Sequence, residues 1–206
     1  MTAVRVKICG LTRSADVQAA VRLGADALGF VFAPRSKRVL SIELAAELVA
    51  SVPAFVSRVG LFMDQDFATV AKIIDQVPLN LLQFHGAEEA SFCRQFRLPY
   101  IKAVSMGSDQ AVQRAGLDYP DAAALLLDSH SPGGVGGTGH VFDWSMVARS
   151  GLPLVLAGGL GPGNVGQAVK QVRPWAVDVS SGVETAPGVK SEELIREFIN
   201  EAKREY

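Results

Sequence analysis

Short apolar runs alternate with longer amphipathic stretches along the whole chain. The runs are rich in Val, Leu, Ile and Phe, and their length is typical of buried parallel strands. We therefore interpret each run as one strand. The predicted strands are Val4–Cys9, Ala27–Phe32, Val56–Phe62, Leu79–Phe84, Tyr100–Val104, Ala123–Asp128, Leu154–Ala157 and Ala176–Ser180.

The amphipathic stretches between these runs predict helices, and local signals mark several of their ends. Ser41 and Asp66 are N-cap candidates, because their side-chain oxygens can accept hydrogen bonds from a first helical turn. Gly24 is a C-cap candidate, and the stretch at 109–115 is short and ends at Gly116. The predicted helices are Ala15–Leu23, Glu43–Ser51, Phe67–Gln76, Ala87–Phe96, Asp109–Ala115, Trp144–Ser150, Pro162–Val172 and Ser191–Arg204.

Eight β/α units without a linker or a break in composition predict one α/β domain over residues 1–206, a single closed (β/α)8 TIM barrel. About 200 residues is the lower limit for this fold, so the connections must be short. The alternative is an open doubly wound sheet, which carries spaced glycines after its first strand. Here Cys9-Gly-Leu-Thr12 follows that strand, and this favours the barrel.

Composition excludes several classes of partner. The chain is 49% hydrophobic and carries 20 basic and 21 acidic residues, so its charge gives no sign of nucleic acid or membrane as a partner. Arg5 and Lys7 stand where a signal peptide needs an apolar core, and no apolar run approaches the roughly 18 residues of a membrane span. Two cysteines without metal-type spacing, Cys9 and Cys93, are typical of a cytoplasmic protein with free thiols.

Cys9 and Asp128 each close a predicted strand. Because the carboxyl ends of barrel strands meet at one face, these two residues can share one site although they are far apart in sequence. A thiol and a carboxylate together suggest a base and an acid acting on one small molecule. Cys9 could instead be a small buried apolar residue, which is how we interpret Cys93. Asp128 follows three leucines, where an unpaired structural carboxylate is rare.

Two Gly-rich segments, at 157–164 and 179–184, follow the last two predicted strands. Glycine lets backbone N–H groups approach an anion closely, and barrels often bind phosphate with the loops after strands seven and eight. The alternative is that these glycines serve tight turns only. Since both segments stand at the expected strands, we predict a phosphate site at the backbone N–H groups around Gly159, Ser181 and Gly182.

A basic loop at 33–39 follows the second predicted strand and contains Arg38. Three cations in one loop usually form a solvated turn. At the catalytic face, an arginine could instead clamp a substrate carboxylate with its fork of donors. We therefore count Arg38 among the candidate substrate-binding residues.

His85 ends the fourth predicted strand at the same face. It could act as a base, a hydrogen-bond donor or a capping residue, and we include it among the substrate-binding candidates. Because the three histidines are scattered at 85, 130 and 140, we expect no metal site. The segment 129–140 holds five glycines, which indicates either a plain loop or a mobile lid over the site.

Strand alternation also predicts a contact inside the barrel. If Cys9 points toward the axis, then Lys7 points inward one layer below, and a buried ammonium needs a partner. Asp178 lies on the eighth strand, which neighbours the first in a closed barrel, so we predict a Lys7–Asp178 ion pair. The nearby cation would favour the Cys9 thiolate. Alternatively, Lys7 reaches elsewhere, and Asp178 bonds only to backbone or to substrate.

Many ordered motifs across the chain resemble the phosphoribosylanthranilate isomerase family of tryptophan biosynthesis. Two departures are Phe84, where that family more often has Leu, and Ser191, where Asp is common. Neither affects the proposed chemistry. The matching motifs are Lys7-Ile-Cys-Gly-Leu-Thr12, Gly29-Phe-Val-Phe32, Ser36-Lys-Arg38, Gln83-Phe-His-Gly86, Leu126-Leu-Asp128, Gly136-Gly-Thr-Gly139, Phe142-Asp-Trp144, Gly158-Gly-Leu160, Val177-Asp-Val-Ser-Ser-Gly-Val-Glu184 and Pro187-Gly-Val-Lys190.

The resemblance implies a (β/α)8 barrel without cofactor or metal that acts on a small phosphoribosyl substrate, as a monomer or homodimer. The implied reaction is the Amadori rearrangement of N-(5-phosphoribosyl)anthranilate to 1-(2-carboxyphenylamino)-1-deoxyribulose 5-phosphate. The resemblance places the general base at Cys9, the general acid at Asp128 and the contact to the anthranilate carboxylate at Arg38. An unperturbed Cys titrates near ~8.5 and an unperturbed Asp near ~3.9, so the site must adjust one of them or work with a small active fraction.

Two other functions fit a phosphoribosyl barrel. The histidine-pathway aminoaldose isomerase performs the same rearrangement, but that family places an aspartate at the end of strand one, where this chain has Cys9. A catalytically silent barrel that senses sugar phosphates is the other alternative. Retention of Cys9, Arg38 and Asp128 together argues against it.

Overall fold

Eight parallel strands close into a barrel in chain order, with β8 beside β1. The structure is a computed structural model that describes residues 4–105, 109–128 and 151–204. The predicted (β/α)8 fold is confirmed. The barrel strands are β1 Arg5–Cys9, β2 Ala27–Val31, β3 Ser57–Phe62, β4 Leu81–Phe84, β5 Tyr100–Ser105, β6 Ala124–Asp128, β7 Leu154–Leu156 and β8 Ala176–Val179.

Helices of the described residues cover the outside of the barrel. A short antiparallel hairpin, β9 Glu184–Ala186 with β10 Val189–Lys190, follows β8, and the sequence pattern did not reveal it. The predicted helix Trp144–Ser150 and the segment 129–140 lie outside the described residues. The helices are α1 Ser14–Arg22, α2 Ile42–Ala50, α3 Phe67–Gln76, α4 Ala90–Cys93, α5 Asp109–Asp118, α6 Val165–Val172 and α7 Glu192–Arg204.

Strand alternation divides the apolar side chains into two layers. Outward residues such as Ile8 and Val177 join the helices in one large core, and Phe198 of α7 is fully buried there. Inward residues such as Leu126 and Val155 form a smaller cluster along the barrel axis. Because successive side chains on a strand point to opposite faces, each strand contributes to both layers.

Three predicted helix ends are confirmed. The Ser41 hydroxyl accepts a hydrogen bond from the Leu44 N–H at 3.2 Å, and the Asp66 carboxylate accepts one from the Thr69 N–H at 2.7 Å. Gly24 follows α1 with a φ of +88°, the left-handed region that a helix C-terminus favours.

The predicted helix Ala87–Phe96 is shorter than its pattern suggested. An α-helix forms only at Ala90–Cys93 and continues as a 3-10 turn over Arg94–Phe96. The residues before it form a loop, because the Glu88 carboxylate accepts a hydrogen bond from the Asp64 N–H at 2.8 Å. A tertiary contact therefore overrides the helical periodicity.

The predicted helix Asp109–Ala115 is longer than expected, since α5 continues through Gly116 to Asp118. A glycine inside a helix costs about 1 kcal/mol, and burial of Val112 and Ala115 against the barrel offsets that cost. Among the described residues, no helix is both long enough and apolar enough to cross a membrane.

Candidate active site at the carboxyl end of the barrel

The Cys9 thiol closes β1 at the carboxyl end of the barrel. Its side chain is buried at 4% exposure and packs with Val31 and Ala33 from the end of β2. Leu61 and Met63, at the end of β3, complete this apolar wall. One side of the thiol therefore packs against an apolar wall at the carboxyl end of the barrel.

Lys7 and Asp178 form the predicted ion pair one layer below Cys9. Strand β1 pairs with β8 in the register Lys7–Asp178, and the ammonium lies 2.9 Å from the carboxylate. Both residues are buried, at 3% and 8% exposure. The prediction is confirmed, because closure of the barrel brings the two inward positions side by side.

The protonation of Cys9 depends on two opposing effects. Burial raises the pKa of the thiol, the Lys7 ammonium lowers it, and the net pKa lies above its ordinary value. Burial lowers the pKa of Lys7, but Asp178 and Cys9 together raise it further than burial lowers it. The Lys7 ammonium therefore lowers the pKa of Cys9, as the sequence predicted, but burial raises that pKa by more. The resting residue is a neutral thiol above a charged ammonium.

Asp128 and His85 meet at the same end of the barrel. Nε2 of His85 lies 3.1 Å from Oδ2 of Asp128, which closes β6. Both side chains are partly open to the barrel mouth, at 24% and 15% exposure for His85 and Asp128. Nδ1 of His85 lies 2.9 Å from the side-chain nitrogen of Gln83. The predicted acid thus belongs to a hydrogen-bonded chain that starts inside the barrel.

Arg38 lies over the end of β1 rather than in a solvated turn. Its Nε and Nη2 atoms donate to the two carboxylate oxygens of Glu184 at 2.7 and 2.6 Å. The side chain crosses Gly10, where an added Cβ would collide with it. Lys190 also donates to Glu184 at 2.7 Å. Glu184 therefore holds the Arg38 guanidinium by the edge that carries Nε and Nη2. The Nη1 atom makes no bond to that carboxylate.

Burial and ion pairing together determine the pKa values of Glu184, Arg38 and Lys190. Burial raises the pKa of Glu184, but its bonds to Arg38 and Lys190 lower it to below the ordinary value. The same bonds to Glu184 raise the pKa of Arg38. Burial lowers the pKa of Lys190, and Glu184 only partly offsets this effect. The carboxylate is therefore firmly ionised between its two cationic partners.

The two Gly-rich turns lie against each other beside α6. A Cβ on Gly182 would overlap the backbone carbonyl of Leu160, so the turns approach as closely as only glycine permits. The Asn164 side chain donates to the Gly159 carbonyl and accepts from the Gly161 N–H, each at 2.9 Å. This side chain holds the first turn in shape at the start of α6.

Sequence reasoning missed three polar residues near the site, Gln83, Lys102 and Glu184, and two of them carried a readable signal. Gln83 and Lys102 each interrupt an apolar strand, a pattern that marks an inward polar position. Lys102 lies 3.1 Å from Glu88 and also donates to the Phe84 carbonyl at 3.4 Å. Glu184 stands in the hairpin that follows β8, and its partner Arg38 is 146 residues away, so no local pattern identifies it.

Comparisons with known proteins identify the family. The family model for N-(5′phosphoribosyl)anthranilate (PRA) isomerase matches residues 6–201. The chain belongs to the PRA isomerase family. The family enzyme from Hahella chejuensis is 50% identical over 204 residues, covering 98% of this chain and 96% of its own. The enzyme from Pseudomonas aeruginosa strain UCBPP-PA14 is 52% identical over 202 residues, covering 97% and 95%.

Solved PRA isomerases share the fold closely. The Thermotoga maritima enzyme superposes with a TM-score of 0.88 at 43% identity, covering 98% of this chain and 99% of its own. A PRA isomerase in complex with reduced 1-(o-carboxyphenylamino)-1-deoxyribulose 5-phosphate gives a TM-score of 0.85 at 42% identity, with the same coverage. The family resemblance, the enzyme class and the isomerase function in tryptophan biosynthesis that the sequence predicted are thereby confirmed.

Proposed function

We propose that this PRA isomerase rearranges N-(5-phosphoribosyl)anthranilate to 1-(2-carboxyphenylamino)-1-deoxyribulose 5-phosphate with Cys9 as general base and Asp128 as general acid. The observation that carries the proposal is the placement of the two side chains. Each closes a parallel strand at the same end of the barrel, where barrel enzymes carry their catalytic residues. A related isomerase holds a reduced form of the product, which supports a site of that size and charge.

The proposed chemistry consists of two proton transfers. Asp128 gives a proton to the ribose ring oxygen, the C1′–oxygen bond breaks, and the anthranilate nitrogen supplies the electron pair that forms a Schiff base. The iminium nitrogen makes the C2′ hydrogen acidic, and the Cys9 thiolate removes it. The C2′–hydrogen electron pair then forms the enolamine, which tautomerises to the ketone. General acid–base steps of this kind contribute typically 10²–10⁴-fold each.

A spectroscopic assay for consumption of phosphoribosylanthranilate tests the activity directly. We expect the purified chain to consume this substrate and to turn over the histidine-pathway aminoaldose much more slowly. The reverse preference would identify the other isomerase, and binding without turnover of either compound would identify a sugar-phosphate sensor. Cys9 at the end of β1 is the observation that disfavours the first of these alternatives.

Arg38 is proposed to hold the anthranilate carboxylate. Glu184 occupies one edge of its guanidinium, so the substrate would bind at the Nη1 side. Arg38→Ala is expected to weaken binding of carboxylate-bearing product analogues by roughly 10–100-fold, as loss of a charged hydrogen bond does. An analogue without the carboxylate should bind almost unchanged. Isothermal titration with both analogues measures this, and Lys37→Ala, an exposed neighbour, is the matched control. Equal losses for both analogues would contradict the role.

An anion site is proposed at the backbone N–H groups of Gly159, Ser181 and Gly182. None of these three N–H groups donates to an acceptor within the described part of the chain. Crystals grown with sulfate or phosphate are expected to show the anion at this place. Gly182→Ala should abolish that density and raise the KM, because a Cβ there collides with the Leu160 carbonyl. Density only elsewhere on the protein would count against the site.

Further proposals concern the oligomeric state, the domain, the location in the cell and Asp178. A solved relative from Thermotoga maritima is a dimeric enzyme that was also converted to monomers, and for this chain we keep the proposal of a monomer or homodimer, which light scattering can decide. We also propose that residues 1–206 form one domain and that the enzyme works in the cytoplasm. A direct contact between Asp178 and the substrate stays a proposal. The contact that the structure describes for Asp178 is its ion pair with Lys7.

A further inference from the structure

Gln83 is a buried polar side chain to which the mechanism above assigns no task. It is fully buried in β4, and its neighbours Leu82 and Phe84 belong to the outer core. Gln83 therefore points into the barrel, and His85, two residues later, continues on the same side. The Gln83 side-chain nitrogen lies 2.9 Å from Nδ1 of His85, whose Nε2 lies 3.1 Å from Oδ2 of Asp128.

This geometry determines where the imidazole proton lies. An amide nitrogen carries only donors, whereas a neutral imidazole has one donor and one acceptor nitrogen. Facing the amide N–H, Nδ1 of His85 must be the acceptor, so the ring proton lies on Nε2 and is donated to Oδ2 of Asp128. The Gln83 oxygen is buried without a hydrogen-bond partner among the described residues. An unpaired carbonyl is tolerated better than an unpaired N–H, which favours the same orientation of the amide.

The tautomer also selects the oxygen of Asp128 that carries the acidic proton. When Oδ2 accepts a hydrogen bond from His85, the carboxyl proton sits on Oδ1 and can pass to the substrate. In the opposite tautomer Nε2 of His85 would be an acceptor, and it would draw that proton onto Oδ2, into a bond between the two side chains. We propose that Gln83 is a positioning residue that fixes His85 as the Nε2–H tautomer, so that Asp128 delivers its proton from Oδ1. This inference rests on the acid role proposed above for Asp128.

The tautomer can be measured in the unmodified enzyme. In ¹⁵N NMR spectra of histidine-labelled enzyme, the three histidines can be assigned by comparison with His85→Asn. We expect Nδ1 of His85 to resonate as an unprotonated nitrogen and Nε2 as a protonated one. A proton on Nδ1 would overturn the proposal, whatever the kinetics of the variants.

Two substitutions test the consequence for turnover. Gln83→Met keeps a side chain of similar length but removes the hydrogen bond to His85, and it is expected to lower kcat roughly 10-fold. Gln83→Glu places an acceptor opposite Nδ1 of His85 and so reverses the tautomer. It should lower kcat by roughly 10²-fold, the lower range for loss of a general acid. KM should change little in both. The matched control is Leu126→Met, an inward residue two positions before Asp128, which should keep the kcat of the unmodified enzyme.

The outcomes separate this inference from the proposed function. Unchanged kcat in Gln83→Glu would overturn the role of Gln83 while leaving Asp128 as the acid. Unchanged kcat in Asp128→Asn would instead remove the acid role on which the inference depends. If a Gln83 variant fails to fold, the tautomer in the unmodified enzyme still decides the proposal.

Discussion

Replacing Cys9 by Ala or Asp128 by Asn is expected to lower turnover by roughly 10²-fold or more, the lower range for loss of a general base or acid. Neither change should affect KM strongly, because each group acts on a proton in the transition state. Steady-state kinetics of both variants measure this, and near-normal turnover in either would remove that residue from the mechanism. Cys93→Ala is the matched control, since that thiol lies in the outer core and its pKa is raised to about 12 by burial.

The same assignment has a pH dependence. Burial raises the pKa of the Cys9 thiol, so the thiolate that acts as the base is a minor species at neutral pH in the free enzyme. As the pH rises toward that raised pKa, the thiolate fraction increases, but the reaction also needs the Asp128 proton, and loss of that proton offsets the gain in the unmodified enzyme. Asp128→Asn has no such proton to lose, so its residual kcat/KM should increase above neutral pH. A profile of Asp128→Asn that is flat from neutral to alkaline pH, at stable fold, would show that ionisation of Cys9 does not limit the reaction.

The features that the sequence made predictable follow from periodicity and closure. Eight alternating units specify a barrel, and closure makes the eighth strand a neighbour of the first. The contact between Lys7 and Asp178 then follows from alternation alone, although 171 residues separate them. The candidate acid and base, Asp128 and Cys9, could also be placed, because a reactive residue at the end of an apolar strand lies at the catalytic face.

The features that the sequence did not reveal depend on long-range contacts. The pattern over Ala87–Phe96 indicates a helix, but the Glu88 carboxylate, held by Lys102 at 3.1 Å, ties its first residues into a loop. The bond between Arg38 and Glu184 depends on how the loop after β2 and the β9–β10 hairpin fold over β1, and neither segment has a periodicity that fixes its path. The pKa of Cys9 results from two opposing effects, because burial raises it and the Lys7 ammonium lowers it. Strand placement predicts the ammonium but not the extent of burial.

Breaking the ion pair beneath Cys9 should have the largest effect on stability. Lys7→Met leaves the Asp178 carboxylate buried without its cation, and removing one partner of a buried pair costs about 3–5 kcal/mol. The double variant Lys7→Met/Asp178→Leu replaces the pair by apolar side chains and should regain most of that loss. Urea unfolding of both variants measures the difference. Arg22→Met is the control, since its pair with Glu192 is exposed and should contribute under about 1 kcal/mol.

The same variants test the electrostatic role of the ammonium. Lys7 lowers the pKa of Cys9 and Asp178 raises it by less, so Lys7→Met should move the alkylation profile of Cys9 to higher pH. Removing both charges should move that profile less far in the same direction. Alkylation tracks the thiolate fraction, and mass spectrometry of the peptide that contains Cys9 separates it from Cys93. A stability loss without any displacement of the profile would leave the pair a purely structural role, and the thiolate would then depend on groups at the barrel mouth.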